Sequence, residues 1–185
     1  MKDICLSYRI NDDEFKELEQ KFGKLCFYAA HQLKKKNSRN NYTDDIEDIS
    51  QELQLSILRA GSYYKRQIYI EKCLALAKEH AEDEFLKYIV GELEHLWANR
   101  TRHGANRQKF GPHQEKLLQK IVKKVVPKEN RPDRKEELKI DSRFATYCKA
   151  IVWNGQKSMG KKITREKSIR SGQVSLSEFD YLGSN

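Results

Sequence analysis

Nothing in these 185 residues approaches the roughly 18 consecutive apolar residues that a membrane-spanning helix requires, so no transmembrane segment is expected. The first fifteen residues, MKDICLSYRINDDEF, turn acidic early and lack an apolar core, so no export signal is read there. Cys5, Cys26, Cys73 and Cys148 are scattered and never form a CxxC pair, which argues against a zinc site and against a disulfide framework. A reducing cytoplasm is the compartment that follows. His31, His80, His95, His103 and His113 supply no HxxxH or HExxH pair, so neither a metal nor another cofactor is expected. No alternating apolar and polar pattern outlasts about four residues, and no internal repeat is visible, so the expected fold class is all-α.

What the chain has in quantity is charge, at 34% of residues against 38% hydrophobic, so each helix should bury a single stripe. The formal net charge of +9 is unevenly spread. Residues 1–99 carry 15 Lys/Arg and 18 Asp/Glu, residues 100–170 carry 21 and 7, and residues 171–185 carry 0 and 2. One concentrated basic block is the electrostatic footprint of a nucleic-acid surface, with a basic solubilising loop as the bland alternative.

Apolar residues at three- and four-residue spacing predict a helix over 11–36, with Phe15, Leu18, Phe22, Leu25, Ala29 and Leu33 inward and Asn11 or Asp12 as its cap. A second helix should start near Thr43, carry Ile46, Ile49, Leu53 and Ile57 inward, and end at Gly61. Residues 66–98 read as one or two further helices, and NRTRHGANRQKFGP as a loop. A short helix is expected from about His113 to Val126, stopped by Pro127, and then KENRPDRKEELKID as a charged, mobile connector. The last helix begins near Ser142 and weakens at Gly155 and Gly160, before an extended tail whose character turns acidic and aromatic. The expected organisation is 1–64, a basic helical insertion over 65–140, a functional helix with basic linker over 141–170, and a tail over 171–185.

Two stretches carry more than fold. DSRFATYCKAIVWNGQKSMGKK, residues 141–162, crowds Phe144, Tyr147 and Trp153 against lysines. Unpaired bases held against a phosphate backbone want that combination, since aromatic faces stack bases while cations hold phosphates. DIEDISQELQLSILRA, residues 45–60, pairs an acidic, amide-bearing edge with an apolar stripe, which suits docking on a partner protein.

Together the two stretches resemble the sigma-70 family of bacterial transcription initiation factors. Asp48, Gln51, Glu52, Leu58, Arg59 and Ala60 stand at the places of its core-binding helix. Arg143, Phe144, Ala145, Thr146 and Tyr147 match, in order, its promoter-melting helix. FKELEQKFGKLCFYAAHQL fits the scaffold helix that precedes them. The resemblance covers about 70 residues and is split by an insertion of roughly 80 that has no counterpart in the family. Ala150 and Ile151 stand where the family often carries two tryptophans, and Trp153 lies further along.

The resemblance implies a region 2-like helical bundle that is no enzyme. Asp48, Gln51, Glu52, Leu55 and Arg59 would meet core RNA polymerase. Tyr147 and Phe144 would form the base platform, with Thr146, Trp153 and Asn154 beside it. Arg143, Lys149, Lys157, Lys161 and Lys162 would contact the strand of a -10-type promoter element. VSLSEFDYLGSN resembles the clamp-binding peptide of T-even-type bacteriophage late-transcription sigma factors, which implies that Leu176, Phe179, Tyr181 and Leu182 touch a DNA sliding clamp in a bacterial host cytoplasm. The basic insertion is expected along duplex DNA or against polymerase. Two rival readings stand beside this one. One is a sequence-nonspecific nucleic-acid-binding modulator of polymerase. The other is a metal-dependent nuclease built on Asp44, Asp45, Glu47 and Asp48, although adjacent carboxylates at a helix start diverge and make a poor two-metal site.

Overall fold

The computed structural model describes residues 8–37, 45–99 and 110–182, with the side chains of the last helix described as far as Arg165. Among the described residues there are five α-helices and no strand: α1 (Asp12–Asn37), α2 (Ile46–His80), α3 (Glu84–Ala98), α4 (Pro112–Val125) and α5 (Ser142–Leu182), with one 3-10 turn at Lys128–Asn130. None of the described helices is long and apolar enough to cross a membrane.

Four of these helices, α1, α2, α3 and α5, start where a side chain takes up a backbone N–H. At α1 the box is reciprocal: the Glu14 amide donates to Asn11 Oδ1 and the Asn11 amide donates to Glu14 Oε2, both at 2.8 Å. Asp45 accepts from the Ile46 amide at 2.7 Å and Asp83 from the Phe85 amide at 2.9 Å. Asp141 accepts from the Phe144 amide at 2.7 Å.

The chain divides into two compact units. One holds the described residues up to Ile10 together with Gly61–Leu138; the other holds Asn11–Ala60 together with the described residues from Lys139. α2 thus gives its first part to one unit and its second part to the other. Tyr8–Ile10, which precede α1, go with the inserted unit. The cause is Tyr8, which is buried there, packs on Tyr69 with ring centroids 5.6 Å apart, and donates to Glu115 Oε1 at 2.7 Å.

The inserted unit closes around Ile70, Leu74, Ala77, Val90, Leu93, Trp97, Phe110, Leu118, Ile121 and Val122. Trp97 and Phe110 meet edge to face at 5.0 Å. Residues 128–141, expected to be mobile, are tied down instead. The Arg131 guanidinium donates to the Val126 and Lys123 carbonyls at 3.0 and 2.7 Å, satisfying the end of α4. Arg134 lies over the Tyr69 ring at 5.6 Å, Lys72 pairs with Glu136, and Leu138 is buried.

Gly61 does not end α2. The helix runs through it, and a Cβ there would lie 2.9 Å from Ile10 Cδ1, so the glycine marks a close approach rather than a cap. The expected extended tail is corrected as well: the α5 backbone stays helical to Leu182. Gly160 fails to stop it, and the following residues include no proline, the one residue type that both clashes with a helix and removes a donor.

Candidate nucleic-acid interface

The second unit is built from α1, the first part of α2, and α5. Phe22 of α1 meets Phe144 of α5 edge to face, with centroids 6.4 Å apart. The buried Gln156 amide donates to the Ala29 carbonyl at 2.8 Å, locking α5 to α1 with a bond that leaves neither group exposed. α5 also meets α2 directly: a Cβ on Gly155 would come within 2.8 Å of Leu53 Cδ2, so the end of the Leu53 side chain fills the space that the glycine leaves. The two stretches singled out from the sequence, separated by some 80 residues, therefore touch.

Their outward faces differ in chemistry. On α2, Ile49, Leu53, Ile57 and Ala60 are buried, whereas Asp48, Gln51, Glu52 and Arg59 are exposed and Leu55 is 50% exposed. Their spacing of three, one, three and four residues puts the five on one side of the helix. It is a polar edge with a leucine at its centre, suited to a protein partner. Leu58, also matched to the family pattern, is half-buried.

On α5, Phe144, Cys148, Val152 and Gln156 face inward. Arg143, Tyr147, Asn154, Lys157 and Lys161 recur at four, seven, three and four residues along one exposed stripe, with Thr146, Lys149 and Lys162 also exposed. Tyr147 is 43% exposed and Trp153 38%. Phe144, expected to stack a base, cannot: it is fully buried, because it falls on the inner stripe and its ring packs against Phe22. Thr146 spends its hydroxyl on the Ser142 carbonyl at 2.8 Å, which leaves its oxygen as an acceptor only.

α1 contributes aromatics that the sequence reading passed over. Phe27 and Tyr28 are 52% and 54% exposed, and the Tyr28 ring meets Trp153 edge-on at 6.5 Å. Beside them, Gly23, Lys24, Phe27, Tyr28, His31, Ser50 and Gln54 line an open groove of about 440 Å³ between α1 and α2. The signal was present, since two adjacent aromatics lie off the inward stripe of an otherwise polar helix. Large exposed rings in a contiguous patch mark an interaction surface rather than a core.

Beneath this face Cys26 and Cys148 are fully buried. Burial pushes the Cys26 thiol up to about 11 and Cys148 to about 12, the latter also through its proximity to Cys26. Neither is a nucleophile or a metal ligand at neutral pH. Asp45, one of the carboxylates of the nuclease reading, caps α2 and pairs with Lys34 at 3.5 Å. Asp44 lies outside the described residues, and among those described no three His, Cys, Asp or Glu side chains converge to hold a metal ion.

In the inserted unit α4 buries Leu118, Ile121 and Val122 and exposes Lys116, Lys120, Lys123 and Lys124 on its outer side. Such a lysine ridge suits a phosphate backbone. The side chains of Leu176, Phe179, Tyr181 and Leu182 lie outside the described residues. No family model, curated protein or solved structure matches this chain.

Proposed function

We propose that this protein is a sigma-70-like transcription initiation factor, similar to the late factors of T-even-type phages. Its α2 edge of Asp48, Gln51, Glu52, Leu55 and Arg59 docks on bacterial core RNA polymerase. Its α5 face captures the unpaired strand of a -10-type promoter element, with Tyr147 and Trp153 stacking bases and Arg143, Lys149, Lys157, Lys161 and Lys162 on phosphates. Asn154 has the donor and acceptor to read a base edge at the end of the melted stretch. The end of α5 carries the sliding-clamp contact, and the lysine ridge of α4 rests on duplex DNA. The factor acts in the host cytoplasm and catalyses nothing itself.

The observation that carries this reading is the Gly155–Leu53 approach. It joins a protein-docking edge and an aromatic, basic face within one unit across an 80-residue insertion, and an initiation factor needs both at once. Base–aromatic stacking contributes about 1–3 kcal/mol per base, so one exposed ring decides much of strand capture. The test is run-off transcription with purified bacterial core polymerase, on templates with and without an AT-rich -10-like element. Specific starts that need the element and fall with Tyr147→Ala are expected. Polymerase binding without specific starts, with and without a purified phage sliding clamp, would make the protein a nonspecific modulator. Absence of polymerase binding would sink the proposal.

A further inference from the structure

The helix α3 buries Val90, Leu93 and Trp97 in the core of the inserted unit, yet its opposite face is not what a solvated helix presents. Phe85 and Tyr88 are each 67% exposed, more than any other large hydrophobic side chain described. They are three residues apart, and Gly91, Glu92 and His95, all exposed, continue the same face. Exposed aromatic pairs rimmed by polar residues mark interaction sites.

Gly91 is the second observation. It sits in the middle of a fifteen-residue helix, where glycine weakens a helix relative to alanine. At Gly61 and Gly155 a close neighbour accounts for the missing side chain, but a Cβ on Gly91 would meet nothing within 4 Å. Nothing described in the chain uses the space it leaves. A partner backbone crossing close to α3 would use it.

Charge selects the partner. Glu82, Asp83, Glu84, Glu92 and Glu94 all fall within residues 82–98, where Lys87 is the only Lys or Arg. Lys87 pairs with Glu84 at 2.7 Å and Glu94, half a turn round the helix from Phe85, pairs with Lys78 of α2 at 2.8 Å; Glu92 on the face and Glu82 and Asp83 at its head keep it acidic. Phosphate would be repelled here, unlike at α4 or α5. Two copies of this face would also repel each other.

We infer that this face of α3 is a docking site for a protein helix that carries lysine or arginine beside an apolar stripe and crosses at Gly91, with its apolar side chains against Phe85 and Tyr88. The inference does not rest on the polymerase and promoter reading, whose α2 edge and α5 face lie in the other unit.

The test titrates the full-length, isotope-labelled protein with two synthetic amphipathic helical peptides that share one leucine stripe, one with lysine and the other with glutamate on the polar face. The lysine peptide should bind and shift the amide signals of 85–95, and the glutamate peptide should not. Phe85→Ser with Tyr88→Ser, and separately Gly91→Leu, should each weaken binding roughly tenfold. Gly91→Leu should at the same time leave the thermal midpoint unchanged or raised, because leucine is the better helix former. Several results overturn the inference: no binding of the lysine peptide, equal binding of both, binding indifferent to the three substitutions, or shifts centred elsewhere. Self-association of the chain that Phe85→Ser abolishes would assign the face to a second copy and overturn it too.

Discussion

Phe144 and Tyr147 lie three residues apart on α5, both stand in the matched promoter-melting pattern, and their surroundings give them opposite work. Phe144 is fully buried and edge-on to Phe22 at 6.4 Å, so truncating it to alanine removes a ring from a closed core. Such truncations cost about 3–5 kcal/mol, of which the ring pair supplies about 0.5–1.5. Against a total of about 5–15 kcal/mol, that lowers the melting midpoint by about 6–20 °C. Tyr147 is 43% exposed, and its truncation should cost about 1 kcal/mol or less. Loss of one stacked base, at about 1–3 kcal/mol, lowers promoter-specific initiation by roughly 5- to 150-fold. The decisive pair of variants is therefore Phe144→Leu and Tyr147→Leu, both of which keep an apolar side chain. Phe144→Leu should keep the core mostly filled, costing under about 1.5 kcal/mol, and keep run-off transcription from a -10-like template. Tyr147→Leu should keep the thermal midpoint and lose transcription. If Phe144→Leu, with its midpoint preserved, lost initiation as fully as Tyr147→Leu, the division between a supporting ring and a contacting ring would be wrong.

Two further predictions concern the interior. Glu115 accepts from the Tyr8 hydroxyl at 2.7 Å and from Arg66 Nε at 2.8 Å, with the Arg66 side chain only 15% exposed. Glu115→Ala should cost about 3–5 kcal/mol by leaving a guanidinium and a phenol without their acceptor, and Glu115→Gln clearly less; equal urea midpoints for wild type and Glu115→Ala would refute this. The buried thiols set the alkaline limit. Burial raises Cys26 and Cys73 to about 11 and Cys148 to about 12 from an ordinary 9.0, and Tyr8 is raised above its ordinary range by burial and by Glu115. Above about pH 9 the unfolded chain releases these protons first, so the stability they contribute is intact below that pH and is lost as pH rises toward the folded values. Urea midpoints should therefore fall from about pH 8 to about pH 10, and modification of Cys26, Cys73 and Cys148 in native buffer should proceed no faster than global unfolding. Rapid labelling of Cys148 in the folded protein would contradict its burial.

Most of the helices were legible because three-residue and four-residue spacing survives in a polar chain. Leu18, Phe22, Ala29, Leu33, Ile49, Leu53 and Ile57 all turned inward as their spacing required. Glycine and the linkers misled, for one physical reason: their local signal is overridden by contacts from far along the chain. Gly61 reads as a helix end until Ile10 and Leu138 are found against it, and residues 128–141 read as mobile until Arg131 and Arg134 find their partners. Within the candidate site, the polar positions of α2 and the lysines of α5 came out exposed as their stripes demanded. Phe144 shows the limit, because a motif match gives residue type but not which way the ring faces. Phe27 and Tyr28 show the converse, since an off-stripe aromatic is visible in sequence but its meeting with Trp153 is not.

The insertion bears on all of this. Closing a flexible loop costs entropy that grows only as the logarithm of its length, so each doubling adds only about 0.6 kcal/mol. An inserted segment that builds its own core contributes stability of its own instead of adding to that cost. Residues 61–138 do so, with Ile70, Val90, Trp97, Phe110 and Ile121 buried among themselves. The chain leaves the α1–α2–α5 unit at Ala60 and re-enters at Lys139, and Asp141 at once caps the helix that packs back on Phe22, Ala29 and Leu53. The contact between the two motif helices is therefore specified by residues on the returning helix, not by the length or content of what lies between. Gly155 is the sharpest of these. Alanine there needs only the flexible end of Leu53 to shift, but a β-branched side chain would hold the two helices apart. Gly155→Val should therefore abolish promoter-specific initiation while leaving the core of the inserted unit intact, read as preserved amide protection at Ile70 and Val90. Unimpaired initiation by Gly155→Val would mean that the Leu53–Gly155 contact between the two motif helices is not needed, and with it would go the main support for reading them as one site.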